Sequence, residues 1–579
     1  MNERTSYYRR IAYGVAIAAL LFPLSLLSSP ATVTDRGGQL AQMREQYDLG
    51  QGTIGEIDPA SETIKLATLG LRGVAVNLLW EKANYYKKTE DWTNLTATLE
   101  QLAKLQPNFV TFWMFQSWNL SYNVSVEFDD YRDRYYYVRE GIEFLQKGER
   151  YNRDNFKILK ELGWFIGQKI GRADEYVQYR RLFKNDEQFH PADRTLEERD
   201  NWLVGKEWYL KSLDAAITKG KGIGRTSPKI AHAAPAKSQM SYAEAIEEEG
   251  YFEKAQRAWA LAESEWLEFG ELVIDHSTGV KLQLNHQPQL EKEVERLKAA
   301  LEELGPGIRE KIAAEKRGKL SEELRATLDA PADQRTPRQN EVLYEAEAAV
   351  AVSHAEVAQR LAQENPELSR QSRQLASELD DTERKLSYTI NYKRDSNFDY
   401  WLTRTQFEQT ADALDARELM FRAKQAYQDE ADPQKAKELY ERGFQHWRKV
   451  FDAFPALLSD EGNTPDDVLY FVKDYREALD QLDETIPANF PLWTLIEQFD
   501  TERSFAEELQ EHQERQGKAP EGDTPEGAAP VPETATDETA PVDEPTSAEQ
   551  PQEDSAPPRP PTENAPPADE VPGAGVAPS

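Results

Sequence analysis

The sequence predicts an all-α protein made mainly of stacked helix pairs, and three observations carry that reading. Two distant segments share one ladder of residue types: Ile246, Ala255, Trp259, Ala262 and Tyr427, Ala436, Tyr440, Gly443. The intervals are identical, and the small residues let two helices approach while the bulky ones fill the space between them. That is the code of a helix pair recurring about every 34 residues. A second pattern, Leu290, Val294, Leu297, Leu301 and Leu304, alternates steps of four and three. This is the seam of a coiled-coil-like pair, and Leu375, Leu379 and Leu386 supply its partner. The third observation marks where folding stops. Residues 519–579 hold fifteen prolines, fourteen acidic residues and no aromatic residue, too little apolar surface to offset chain entropy.

Composition narrows the function. A chain of 579 residues is too long for one core. A net charge of -34 repels phosphate backbones, so nucleic acid is not expected as a partner. The absence of cysteine excludes disulfides, thiolate catalysis and Cys-ligated zinc. The seven histidines show no metal-ligand spacing on one helix, and H-E-x-x-H and G-x-S-x-G are missing. No cofactor, metal or catalytic residue is expected, and the chain reads as a non-enzyme. Glu247, Glu248 and Glu249 point in different directions on a helix and read as a solvated face.

Arg4, Arg9 and Arg10 precede an apolar run from Ile11 to Leu27. Basic residues stay cytoplasmic, so the bulk of the chain is expected beyond the inner membrane, in the periplasm, on a single-pass anchor. Export after signal cleavage is the alternative. Residues 1–30 are thus a cytoplasmic stub with an anchor or signal, and 31–60 a spacer. Residues 61–190 read as N-terminal helical repeats, with ladders Ala83, Tyr86, Leu95, Leu99, then Trp113, Ser117, Leu120, then Gly163, Ile166, Tyr179. Residues 191–240 read as an irregular basic loop region. "KGKGIGRTSPK" lacks the order of a phosphate-binding loop and no strand precedes it, so it reads as surface. A helical repeat follows at 241–285, an antiparallel helical hairpin at 286–390 and a C-terminal helical repeat region at 391–515. Residues 516–579 form the disordered acidic, Pro-rich tail.

The ladders resemble those of tetratricopeptide-repeat proteins, whose role is scaffolding and peptide capture. On that resemblance the inner groove is lined by one face of each first helix: Asn77, Trp80, Asn84 and Lys88, then Trp118 and Tyr122, then Lys157, Lys160 and Trp164. An aromatic floor edged by amides and lysines suits an extended peptide with acidic groups or a free carboxylate. Some members of the family clamp a terminal carboxylate. Asn84 and Lys157 match that clamp, whereas Trp80, Phe115 and Glu161 depart from it.

The segments "LGLRGVAVNLLWEKANYYKKTEDW", "ELGWFIGQKIGRADE" and "SYAEAIEEEGYF" resemble an uncharacterised family of membrane-anchored proteins from planctomycete-type bacteria. Its members are sometimes labelled iron-responsive-element proteins. The sequence-level expectation is a membrane-anchored periplasmic scaffold that binds a protein or peptide, with possible self-association through the hairpin. Two alternatives stand beside it: a cell-envelope enzyme with an unrecognised carboxylate site, and a self-associating structural spacer.

Overall fold

The computed structural model describes residues 72–459 and 462–517, with positions 19, 39 and 42. The expected acidic tail from 518 on and nearly all of the expected anchor and spacer lie outside these. Among the described residues no helix is long and apolar enough to cross a membrane. They are almost wholly helical, with one two-stranded ribbon, β1 (Ile274–Asp275) and β2 (Lys281–Leu282). The chain divides into two compact units, the first ending at Arg225 and the second running from Thr226.

The first unit contains α1 (Arg72–Lys88), α2 (Trp92–Leu105), α3 (Val110–Trp118), α4 (Tyr131–Tyr151), α5 (Phe156–Trp164), α6 (Tyr176–Lys184) and α7 (Asn201–Ile217). Its core runs from Leu95, Leu99 and Leu102 through Trp113, Val138 and Ile142 to Ile158, Leu162, Phe165 and Tyr179. The α1–α2 and α4–α5 turns are built alike. A residue at positive φ, Glu90 or Asp154, precedes the next helix by two positions, and Asp91 or Asn155 then caps that helix through its side chain. Residues 191–240 correct the expected irregular loop. They hold α7 and the first thirteen residues of α8 (Pro228–Glu248), leaving loops at 191–200 and 218–227. Asp200 caps α7, and Trp202, Val204, Gly205, Tyr209 and Ala215 give that helix a buried face. Pro235 lies inside α8 and is itself buried. The buried alanines Ala231, Ala233 and Ala236 around it outweigh a helix interruption that costs about 3 kcal/mol in an exposed site.

In the second unit α8 pairs with α9 (Phe252–Glu271), and α17 (Ala411–Gln428) with α18 (Pro433–Ala453). Both sequence ladders lie at the helix crossings: Ala255 and Ala436 are fully buried, with Trp259 and Tyr440 beside them. The two turns match, with Gly250 and Ala431 at positive φ. Phe421 meets Phe252 edge-on and crowds Gly250, so the two pairs touch although some 170 residues separate them in the chain. Between α9 and α17 come the ribbon, α10 (Gln287–Leu304), α11 (Ile308–Gly318), α12 (Glu322–Asp329), α13 (Pro337–Val350), α14 (His354–Glu364), α15 (Ser369–Asp395) and α16 (Phe398–Phe407). The expected hairpin is therefore part of a bundle whose core is shared by four helices, α10, α11, α14 and α15. α10 and α15 pack together, but Val357 and Leu361 of α14 and Ile308 and Ile312 of α11 close over Leu297, Leu301 and Leu379. An a/d seam specifies an apolar partner, not which helix supplies it. The described residues end with α19 (Thr464–Asp480), α20 (Trp493–Phe499) and α21 (Ala506–Gly517).

Candidate functional site

The first helices of the second and third pairs break their α-helical register in the same way. α3 runs into a π turn at Asn119–Val124, and α5 into one at Phe165–Lys169. A π turn widens the helix by one residue and frees carbonyls from the usual ladder, a distortion often found at functional sites. Side chains take up this slack. Asn201 Nδ2 donates to the Ile166 and Gly167 carbonyls at 3.2 and 3.0 Å. Arg180 donates to Asn201 Oδ1 at 2.6 Å and pairs with Asp200 at 3.0 Å. Arg180, Asp200 and Asn201 are all buried, so the distortion is fixed by a closed polar network. Around the other turn, Ser125 Oγ donates to the Ser121 carbonyl at 2.6 Å.

The two π turns bring aromatic rings together. Trp118 stacks on Tyr122 at 5.9 Å and 21°, and Tyr122 on Trp164 at 6.0 Å and 28°. Phe165 meets both Tyr122 and Trp164 edge-on. These separations lie in the favourable range for offset and T-shaped pairs. All three stacked rings keep part of their surface in solvent. Lys169 Nζ stands 4.2 Å over the Tyr122 ring. Burial pushes this amine down to about 8, against the pull of Glu175 and Asp174. Burial also raises the Tyr122 phenol, with the Glu161 charge adding to it. Glu161 is itself raised by burial. At neutral pH the site is a run of partly buried aromatic rings, each with an edge in solvent, with one lysine amine above its middle ring and a destabilised carboxylate nearby.

Of the nine residues expected in the groove, Trp118, Tyr122 and Trp164 meet directly. Trp80 instead packs edge-on against Phe112 and Phe115, at 6.0 and 6.2 Å. Asn77, Asn84 and Lys88 are exposed on α1, and Lys160 is half-exposed beside Glu161. Lys157 faces a separate cavity of about 290 Å³, formed by residues 152–157 and 221–224. Lys169 and the ion pair of Arg134 with Glu175 at the same end were not anticipated.

Two further clusters were also missed, because their members are far apart in sequence. His354, Asp380 and Glu383 place ligand-type atoms within 4.8 Å of one another. Arg309 Nη2 lies 2.7 Å from His354 Nδ1, and arginine can only donate. Nδ1 must therefore be the acceptor, which puts the ring proton on Nε2, 2.9 Å from Glu383. With Lys298 also 3.2 Å from Glu383, two cations flank the group. The set is chemically a hydrogen-bonded strut between α10, α11, α14 and α15 and a poor host for a dication.

The other cluster corrects the reading of Glu247 as solvated. Glu248 and Glu249 are exposed, but Glu247 turns inward. It accepts from Trp259 Nε1 at 3.1 Å and pairs with Arg417 at 3.0 Å. Arg417 also holds Glu408 at 2.6 Å, and Arg404 holds Glu244 at 2.8 Å. Arg404 lies over Trp259 and Trp401, and Arg417 over Trp447. With Asp467 alongside, four carboxyls share two guanidiniums. Burial and the charge of Glu408 push Glu247 up to about 8, and burial raises Asp467.

Comparison with protein-family models, with curated proteins and with solved structures gave no match for this chain.

Proposed function

We propose that this protein is a tetratricopeptide-like scaffold, anchored in the inner membrane with its bulk in the periplasm, that captures a protein or peptide partner without transforming it. The observation that carries the reading is the aromatic ladder Trp118–Tyr122–Trp164, capped by Lys169. Stacked rings that keep part of their surface in solvent offer apolar area at low entropic cost. The lysine gives them a single point of charge recognition. The matching ligand is an extended segment whose apolar or aromatic side chains lie on the rings and whose carboxylate, terminal or side-chain, meets Lys169. Against the family's carboxylate clamp, the charge here comes from Lys169 and not from Lys157.

The test is a display library of peptides with free C-termini, screened against the full-length protein and repeated with amidated peptides. Peptides enriched by the wild type should lose affinity about tenfold or more with Trp164→Ala and with Lys169→Gln. Thermal melts of both variants report whether the fold persists. Selection of peptides that bind Trp164→Ala, Lys169→Gln and wild type equally would refute the groove.

A further inference from the structure

We infer that the first unit holds a second binding site, distinct from the aromatic ladder, which takes a phosphate-type oxyanion. The site is the cavity of about 290 Å³ between the α4–α5 turn and the loop after α7. Arg153, Lys157 and Lys221 contribute its cationic lining. The one acid in the lining, Asp154, is already neutralised: its Oδ1 takes the Lys219 ammonium at 2.7 Å. Lys157 has no ion-pair partner among the described residues.

The charge is concentrated here against the trend of the chain. In a protein with 103 acidic and 69 basic residues, the lining sets Arg153, Lys157 and Lys221 against one acid, Asp154, that Lys219 already occupies. Lys219 also holds Asp214, and Lys229 beyond the loop is bound to Asp395, so neither adds to the site's charge. A local reversal of sign draws anions to a surface that elsewhere repels them. The end of α5 is already capped, since Asn155 Oδ1 accepts from the Lys157 and Ile158 amides. The anion's partners are therefore the side chains and the glycine loop. Gly222 and Gly224 both line the cavity with φ near +68° and +62°. Having no side chain there, the loop presents bare backbone to the cavity, and a Cβ on Gly224 would point at Lys157 Cε, 3.9 Å away. Cationic side chains lining a concave backbone surface bind tetrahedral oxyanions by charge-assisted hydrogen bonds. The volume sits at the small end of ligand pockets. It admits phosphate carrying a short alcohol as readily as the free ion.

The full-length protein should be titrated with inorganic phosphate and with glycerol phosphate at constant ionic strength, following the melting temperature and the heat of binding. Either ligand should raise the melting temperature in a saturable way, with sodium chloride as the control. Tighter binding of glycerol phosphate would identify an esterified headgroup as the source; equal or tighter binding of phosphate would identify the free ion. Replacing both Lys157 and Lys221 with glutamine should weaken binding about tenfold or more. Trp164→Ala should leave it unchanged, which keeps this site separable from the peptide groove. No saturable effect up to about 50 mM, or an equal effect in the double glutamine variant, would overturn the proposal.

Discussion

Gly205 shows how one atom can decide a helix crossing. A Cβ there would lie 2.9 Å from the Gly163 carbonyl oxygen and 3.2 Å from the Gly167 amide, both backbone atoms that cannot swing away. Gly205→Ala should therefore cost about 1–3 kcal/mol by overpacking. Gly73, in the first turn of α1, faces open space, so the same change there should gain about 0.4–1 kcal/mol from reduced chain entropy. Urea melts of the two variants would have to differ in sign. Ala436 obeys the logic of Gly205, being fully buried where α17 and α18 cross. Ala436→Leu should cost about 1–3 kcal/mol, while the exposed Lys435→Ala stays within about 0.5 kcal/mol. Ala431 is different. It holds φ of 53° in a turn that its counterpart fills with Gly250. Ala431→Gly should stabilise the protein by roughly 0.5–1 kcal/mol, since a left-handed alanine is strained. A lower midpoint for that variant would show that entropy outweighs the strain.

At the scale of elements, the buried ion network ties α8 to α16, α17 and α19, and it makes that junction sensitive to pH. An unfolded Glu247 would titrate near 4.5, the folded one at about 8. Between these values the folded chain binds more protons, so its stability falls as pH rises through the window and levels off above it. Melting temperatures taken from pH 6 to 9 should decline, and Glu247→Gln should flatten the profile while retaining the Trp259 hydrogen bond. A profile unchanged by that substitution would assign the pH dependence to another group. The candidate groove was only partly legible at this scale. The rings Trp118, Tyr122 and Trp164 fall on the groove positions implied by the tetratricopeptide resemblance, but Lys169 does not. Counting at 3.6 residues per turn slips by about 100° at each π turn. Nothing local announces those turns, because Asn201 and Arg180, which stabilise one of them, lie on later helices.

For the molecule as a whole, the insertion between α9 and α17 is expected to be separable from the pairs it interrupts. Trp266 stacks on Phe398 at 5.3 Å and donates to its carbonyl at 3.0 Å. The chain thus leaves α9 and re-enters at α16 at nearly the same place. The bundle also has a core of its own. Replacing residues 289–386 with a short Gly-Ser bridge should leave the two remaining pairs helical and cooperatively melting. Circular dichroism showing helix loss well beyond the deleted share would mean the bundle completes their core.

The sequence by itself determined that the chain is helical and where its small–bulky ladders fall. It also determined that α10 and α15 carry complementary seams. These follow from periodicity, because the side that a helix buries is written in residues three and four apart. Tertiary structure decided what each buried side meets. It decided that the seams close inside a bundle, that Glu247 enters a charge network with residues some 160 positions away, and that α7 is a helix packed on glycines and not a loop. It also set Lys169 over Tyr122 and Lys157 in a separate cavity. Long-range pairings are chosen by which faces fit once all helices are present, and a charge is tolerated in the interior only where opposite charges from other elements converge on it.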